Sequence, residues 1–440
     1  MLDRKYKIKV KRKDLPIILL LLVAFILRIG VLITKGPMYG LNSDDVSYVN
    51  SAITFVETGQ ITMHGALSAQ IMPGMPFMLA PFVLLFGKGY GLWLALKLLW
   101  ITMGLASIFG VYKIVRIFSN TYFAIFAACF FLAPDFAWMD NLILTETPFM
   151  FSFIYLLYFS IQLAHKKQKK YFWFILISYS FCLLMRPTIA PYPLFLFVYL
   201  YFKKYDMKLM FRQIIIAALF VSSFIIPWTI RNYIHFNEFI PLTYGMGNPK
   251  LLGTYQGYHP PNDIDLDYKT YVIDKMSDEI KEYYDFEANE WKDHYMSKYY
   301  ALKLDGVYAD YRLKVWKEEN FPDFIKSYFI FKPKIMVYNS FYWDNVFSIP
   351  ISWNYCFRAL DLFLCFFSVF AILFDKRIRQ EGYLIVILYI FQIAVYCYSF
   401  VFDRYAQTLY FLRFIIIGWG LQRLFQYIKK KFMTKNIKLT

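Results

Sequence analysis

The sequence predicts an all-α polytopic membrane protein, with about ten transmembrane helices and a small, mostly helical domain outside the bilayer. Three observations carry this. The 440 residues are 59% hydrophobic and 22% aromatic, and they include several apolar runs long enough to cross the roughly 30 Å hydrocarbon layer of a bilayer. The Lys and Arg clusters between those runs fall where alternate crossings would put them on one side. The acids are concentrated instead: 18 of the 31 lie between Glu238 and Asp344, leaving 13 acids against 35 Lys and Arg elsewhere. The formal charge of +17 therefore reads as topology, because short cytoplasmic loops accumulate Lys and Arg. It does not call for nucleic acid as a partner.

The first run, "LPIILLLLVAFILRIGVLIT" (Leu15 to Thr34), follows a basic leader and has no small-residue cleavage site behind it, so it is expected to be a retained first helix with a cytoplasmic N-terminus. With that start, the clusters "YKIVR" (Tyr112 to Arg116), "HKKQKK" (His165 to Lys170), "KKYDMK" (Lys203 to Lys208), "DKRIRQ" (Asp375 to Gln380) and "KKKFMTKNIK" (Lys429 to Lys438) all fall inside. They do so if helices span about 15–34, 90–114, 120–136, 143–163, 171–189, 190–203, 210–230, 354–374, 382–401 and 407–427. Two of these share residues 171–203, and the prolines of "RPTIAPYP" are expected to make the turn. Both termini are then cytoplasmic, in the plasma (inner) membrane.

Two regions are left outside. In the first outer loop, residues 35–89, the proline-broken "PGMPFMLAPFVLLFG" (Pro73 to Gly87) reads as a helix lying along the membrane surface. The second is the acidic segment, whose middle is polar and rich in helix formers. The expected organisation is a transmembrane module at 1–230, an acidic extracytoplasmic domain at 231–353, and C-terminal transmembrane helices with a basic tail at 354–440. The five cysteines (Cys129, Cys182, Cys356, Cys365, Cys397) have no paired spacing and no neighbouring His ligands, and imply neither a disulfide framework nor a zinc site.

The candidate chemistry begins at "GLNSDDVSYVN" (Gly40 to Asn50). Val49, Ala52, Ile53 and Val56 repeat at helical spacing, so Asp44 and Asp45 occupy a first turn. Acids there complement the helix dipole whatever else they do. Under the topology above, however, Glu146 of "LILTETPFMF" faces the same compartment, and an intramembrane carboxylate is costly enough to suggest function. Arg28, Lys97, Arg186 and Arg413 all fall in the outer halves of their helices. Each could snorkel to the interface. Together, on the side where positive charge is normally sparse, they suggest an anionic group such as a lipid phosphate, whose oxygens Arg binds in a bidentate manner. Carboxylates above buried cations suit the transfer of a sugar from a lipid phosphate: a carboxylate takes the proton from the incoming hydroxyl while cations stabilise the departing phosphate.

At this point the residues resemble a known family: the GT-C-type membrane glycosyltransferases that use polyprenyl-phosphate sugars, in the branch of protein O-mannosyltransferases and lipid A aminoarabinose transferases. The resemblance rests on "SDDVSYVNSAITFVETG", "PGMPFMLAPFVLLFG", "TETPFMF", "LMRPTIAPYP", "PWTIRNYIHFNEFIPLTYGMGN" (Pro227 to Asn248) and "FDRYAQTLYFLRF". It implies a GT-C-like bundle with interfacial helices in the first outer loop, and transfer with inversion. Asp44 resembles the catalytic base with Asp45 beside it, and Glu146 the second acidic position. Arg186 resembles the basic residue near the lipid phosphate, and Arg404 with Tyr405 the basic pair of the last outer loop. Arg231 reads as structural. Two departures stand out: "RYAQTLY" lacks the proline that commonly follows "RY", and no large soluble module for a protein acceptor is recognisable in these residues.

Tyr48 and His64, in the same loop as Asp44, are further candidates for donor binding, along with Lys97 and Arg28; a loop histidine is often only a solvated side chain. Asp135 and Asp140 read as loop acids that could add to the acidic face. No metal or other cofactor is required, although Asp44, Asp45 and Glu146 are hard ligands of the kind that suit Mg or Mn. The expected partners are a polyprenyl-phosphate-linked sugar, an acceptor on a glycan, lipid or protein, and the bilayer itself. The rival reading is a transporter or flippase of lipid-linked sugars. It fits less well, because a transporter places ionisable groups near the midplane and often shows two matching halves.

Overall fold

The computed structural model of the protein describes residues 15–261, 264, 278–285, 288 and 290–437. The basic leader (residues 1–14), residues 262–263, 265–277, 286–287 and 289 of the acidic segment, and residues 438–440 lie outside the described residues. Every one of the ten predicted helices forms. They are α1 (Leu15–Lys35), α4 (Tyr90–Phe118), α5 (Thr121–Cys129), α7 (Glu146–Lys166), α8 (Lys169–Met185), α9 (Tyr192–Phe202), α10 (Met207–Phe236), α16 (Ile351–Leu373), α17 (Arg379–Cys397) and α19 (Tyr410–Ile437). Six of them, α1, α4, α7, α10, α16 and α17, are long and apolar enough to cross a membrane. The protein is a multi-pass membrane protein.

The exceptions to regular length have local causes. The predicted helix at 120–136 breaks at Pro134, which begins a separate short helix, α6 (Pro134–Met139), because proline cannot donate to the preceding turn. Pro187 ends α8: the residue before a proline avoids helical backbone, and Arg186 is extended (φ −147°, ψ 127°). In α10 no break occurs at residue 230; the helix runs on to Phe236 and stops at Asn237, which adopts φ 51°.

The bundle is organised around α7, 78% of whose apolar stretch is buried, whereas the figure for α10 is 11%. α7 packs on α4 and α8, α1 on α4, and α16 on α19. Outward-facing Ile18, Leu22 and Ile26 on α1 and Ile215 and Leu219 on α10 are exposed, as expected of faces that meet lipid chains instead of water.

Both interfacial helices of the first outer loop are present, α2 (Asp44–Thr58) and α3 (Gly74–Phe86), packed on each other. Between them lies a two-stranded hairpin, β1 (Thr62–Met63) and β2 (Ala66–Leu67), in which Thr62 pairs with Leu67 and Met63 with Ala66. Its two-residue turn, His64-Gly65, has φ of 50° and 82°, the double positive that such a tight turn requires.

The acidic segment contributes α11 (Gly247–Leu252), α12 (Asp278–Tyr283), strands β3 (Tyr284–Asp285) and β4 (Glu290–Trp291), α13 (Tyr295–Glu319), α14 (Phe321–Lys326) and α15 (Lys332–Tyr338). It packs onto the first outer loop. Ile61 and Ala69 share an apolar cluster with Trp228, Phe236, Tyr299 and Tyr300. Arg231 donates to the carbonyls of Ser68 (2.9 Å) and Ile61 (3.2 Å), and Lys298 Nζ to that of Met63 (3.1 Å).

Candidate active site

The site gathers at one end of the bundle, where α7 begins, α8 ends, α2 begins and a short helix α18 (Asp403–Gln407) precedes α19. Four charged side chains alternate in sign. Arg404 Nη2 donates to Asp44 Oδ2 at 2.6 Å, and its Nε lies 3.3 Å from Glu146 Oε1. The same Glu146 oxygen accepts from Arg186 Nη2. Arg186 Nε donates to Thr145 Oγ1 (3.0 Å) and its Nη1 to the Tyr396 hydroxyl (3.3 Å). At the other end of the row His64 Nε2 lies 3.4 Å from Asp44 Oδ1, while its Nδ1 meets Ser47 Oγ at 2.9 Å.

Glu146 is 1% exposed and lies between two guanidinium groups, those of Arg186 and Arg404. Burial raises the Asp44 carboxyl, but the hydrogen bond from His64 and the charge and hydrogen bond of Arg404 outweigh it and hold Asp44 below the usual carboxylate range. Tyr48, one turn along α2, is pushed up by burial and by the nearby Asp44 charge, so its hydroxyl stays neutral.

Beside this row is a cavity of about 220 Å³ lined by Tyr48, Arg186, Thr188, Tyr396, Arg404 and Tyr405, among others. Tyr396 and Tyr405 stack with centroids 4.9 Å apart, and the Arg186 guanidinium lies over the Tyr405 ring at 5.1 Å. Arg186 and Arg404 thus share a cavity wall with two aromatic faces. The segment leading into Arg404 is held from the acidic domain. Gln256 donates to the Val401 carbonyl (2.7 Å) and accepts from its N–H (3.0 Å), and Phe400 N donates to Pro249 O (2.8 Å). A Cβ at Gly253 would collide with the Ser399 and Phe400 backbone, so this close approach requires glycine.

Asp44, Glu146, Arg186, Arg404, Tyr405, Tyr48 and His64 therefore meet; the remaining candidates do not. Asp45 is fully buried and turned back on the loop, accepting from the N–H groups of Leu41 (2.6 Å) and Ser43 (3.0 Å), and its carboxylate fills the space a Cβ would need at Gly40. It fixes the chain leading into α2. Arg28 Nε donates to Asp140 Oδ2 at 2.7 Å in the core. Lys97 Nζ donates to the carbonyls of Tyr39 (2.7 Å) and Asn141. Arg413 pairs with Asp361 at 2.9 Å and donates to the Val337 carbonyl. Of the four outer-half cations only Arg186 lines the cavity. Asp135 and Asp140 are not loop acids adding to an acidic face: both are fully buried, Asp135 against Arg358 (3.4 Å) and Ser340 (2.8 Å) and Asp140 against Arg28.

Asp45 is engaged by backbone amides, Asp44 and Glu146 by guanidinium groups, and among the described residues no three His, Cys, Asp or Glu side chains gather as metal ligands. Sequence reasoning missed Tyr396, Thr145, Thr188 and Gln256. Thr145 stands beside Glu146 in "TETPFMF", but Tyr396 sits in an apolar run like any interfacial tyrosine.

Residues 70–230 match the family model described as dolichyl-phosphate-mannose-protein mannosyltransferase. Over 96% of the chain, the backbone is similar to the crystal structure of the apo Archaeoglobus fulgidus oligosaccharyltransferase, with a TM-score of 0.53 at 13% identity. The fold is that of the GT-C-type membrane glycosyltransferases. A second structure with this GT-C fold, the Archaeoglobus fulgidus oligosaccharyltransferase AglB in complex with an inhibitory peptide and a dolichol-phosphate, matches 96% of the chain with a TM-score of 0.50 at 13% identity. The chain spans about half the length of these proteins, 52% in each case. A looser likeness, with a TM-score of 0.42 at 13% identity, relates 93% of the chain to 78% of ArnT from Cupriavidus metallidurans bound to undecaprenyl phosphate. No curated protein matches the chain in sequence.

Proposed function

We propose that the protein is an inverting glycosyltransferase that moves a monosaccharide from a polyprenyl-phosphate carrier to an acceptor hydroxyl or amine on a glycan, lipid or protein, at the outer face of the plasma membrane. The observation that carries this reading is the alternating row Asp44, Arg404, Glu146, Arg186, whose two arginines line a cavity with aromatic faces. A GT-C-type fold supports it, as does the dolichol-phosphate held by one protein of similar fold.

Arg186 and Arg404 bind the donor phosphate, each offering a planar fork of N–H groups. Asp44 takes the proton of the acceptor hydroxyl as its oxygen attacks the anomeric carbon. The bond between that carbon and the phosphate oxygen breaks with its electrons on the phosphate, which leaves as an anion stabilised by the two guanidinium groups. Glu146 holds both arginines at the cavity wall. While Arg404 is paired with Asp44, Asp44 is a weak base. An incoming phosphate competes for Arg404, so donor binding raises the basicity of Asp44 when an acceptor is to be deprotonated. The acidic segment, 231–353, shapes the acceptor side through its contacts with the first outer loop, and both termini are cytoplasmic.

The test uses purified protein in detergent, with no ion gradient, given a polyprenyl-phosphate sugar and an extract of cell-envelope acceptors. Release of free polyprenyl phosphate together with sugar on an acceptor supports the reading. Intact donor after prolonged incubation, with donor moved across vesicles instead, supports transport.

A further inference from the structure

At the opposite end of the bundle from the site, the last turns of α4 and α7 and the first turns of α1 enclose a groove of about 730 Å³. Glu146 and Lys166 begin and end α7, about 30 Å apart along its axis, so the groove lies one hydrocarbon thickness from the catalytic row.

Its walls are of two kinds. Ile18 and Phe109, both exposed, continue the outer surfaces of helices long and apolar enough to cross a membrane. Its rim carries Lys113, Arg116 and Lys166, with His165 beside them. Among the described residues none of the three cations pairs with a carboxylate: Lys113 lies over the Phe109 ring at 5.7 Å, Arg116 Nη1 donates to Ser119 O (2.7 Å) and Lys166 Nζ to the Tyr171 hydroxyl (3.3 Å). His165 is paired with Glu381 (2.6 Å), which also holds Lys203 (2.5 Å). The groove wall also carries Gln162, 6% exposed, whose side chain makes no hydrogen bond among the described residues. A glutamine amide in the groove wall, beside three cations that have no carboxylate partner among the described residues, above apolar walls that run into the bilayer, fits a phospholipid: an anionic head over acyl chains.

We propose that this groove binds the headgroup of an anionic phospholipid of the cytoplasmic leaflet, its phosphodiester held by Lys113, Arg116 and Lys166 with Gln162 as a further donor. The lipid would wedge α1 against α4 and α7, at the far end of the helix that carries Glu146. Arg and Lys are suited to such oxygens as fork and point charge respectively, and basic pockets between helices on the cytoplasmic side are where anionic headgroups bind. This inference rests on the membrane orientation of the bundle and not on the catalytic reading.

The test is native mass spectrometry of the full-length detergent-solubilised protein titrated with phosphatidylglycerol or phosphatidylcholine of equal chain length. Wild type is expected to retain phosphatidylglycerol at least fivefold better than phosphatidylcholine. The triple variant Lys113→Ala/Arg116→Ala/Lys166→Ala should lose that preference, while Lys169→Ala/Lys208→Ala/Lys376→Ala, which removes equal charge from the same face, should keep it. Gln162→Leu, which alters no charge, should lower retention by twofold or more and serves if the triple variant does not fold. Equal retention of both lipids by wild type, or equal loss in both triple variants, overturns the proposal.

Discussion

Asp44 and Arg404, separated by 360 positions in the sequence, meet at 2.6 Å. One opens the helix of the first outer loop, and the other lies on the short helix before the last long one. Their pairing closes the bundle at the end where Glu146 and Arg186 also sit.

The pair sets a pH dependence whose sign follows from the lowered Asp44 carboxyl. A depressed folded value contributes stability above the ordinary carboxylate value of about 3.9 and loses it only as the pH falls through the lower folded value. Arg404→Gln removes the cation and leaves only His64 to offset burial, so the group rises toward the ordinary value. The midpoint of thermal unfolding of the variant should therefore begin to fall at a higher pH than that of wild type. Superimposable Tm against pH curves would mean that Arg404 does not hold Asp44 ionised.

Arg28 is assigned to the core and not to the donor. Arg28→Leu leaves Asp140 buried without its cation, which should cost about 3–5 kcal/mol. Replacing both Arg28 and Asp140 by apolar residues should recover part of that loss. The KM for donor should stay within about twofold in whatever protein folds, and a large rise in KM with unchanged stability would return Arg28 to the phosphate.

Gln256 should behave as a positioning residue. Gln256→Leu removes two hydrogen bonds to Val401, each worth about 0.5–1.5 kcal/mol net, and loosens the segment leading to Arg404. The expected result is roughly a tenfold fall in kcat/KM, with Tm lowered by only a few degrees and restored affinity for donor in Gln256→Asn no better than partial. An unchanged kcat/KM would show that the clamp is not needed to place Arg404.

His64 orients Asp44 from the hairpin tip. His64→Ala and Ser47→Ala should each lower transfer by less than about tenfold, because Arg404 still holds the carboxylate. A fall of several hundredfold in His64→Ala alone, measured by single-turnover transfer, would make His64 part of the proton path.

The helices were legible in the sequence because apolar run length and Lys/Arg placement are strong signals that need no tertiary information. Glu146 was legible because a carboxylate at an apolar helix end is costly, and Asp44 because it opens an amphipathic helix that faces the same compartment. The four outer-half cations were misleading as a set, since depth in a membrane does not distinguish a guanidinium facing a cavity from one facing a buried acid. Arg28, Lys97 and Arg413 all found protein partners contributed by residues more than 40 positions away, as Asp135 and Asp140 did. Tyr396 and Gln256 gain their roles only from packing, and nothing in their local sequence marks them.

The role of Asp44 as the base is tested by following radiolabelled sugar from a polyprenyl-phosphate donor in membranes that carry wild type or Asp44→Asn, with donor binding measured in parallel. The substitution keeps the shape of the side chain and removes the proton acceptor. Transfer lowered by at least a hundredfold with donor still bound is the predicted result. Transfer within a few-fold of wild type would contradict it and reduce Asp44 to a partner of the helix dipole and of Arg404.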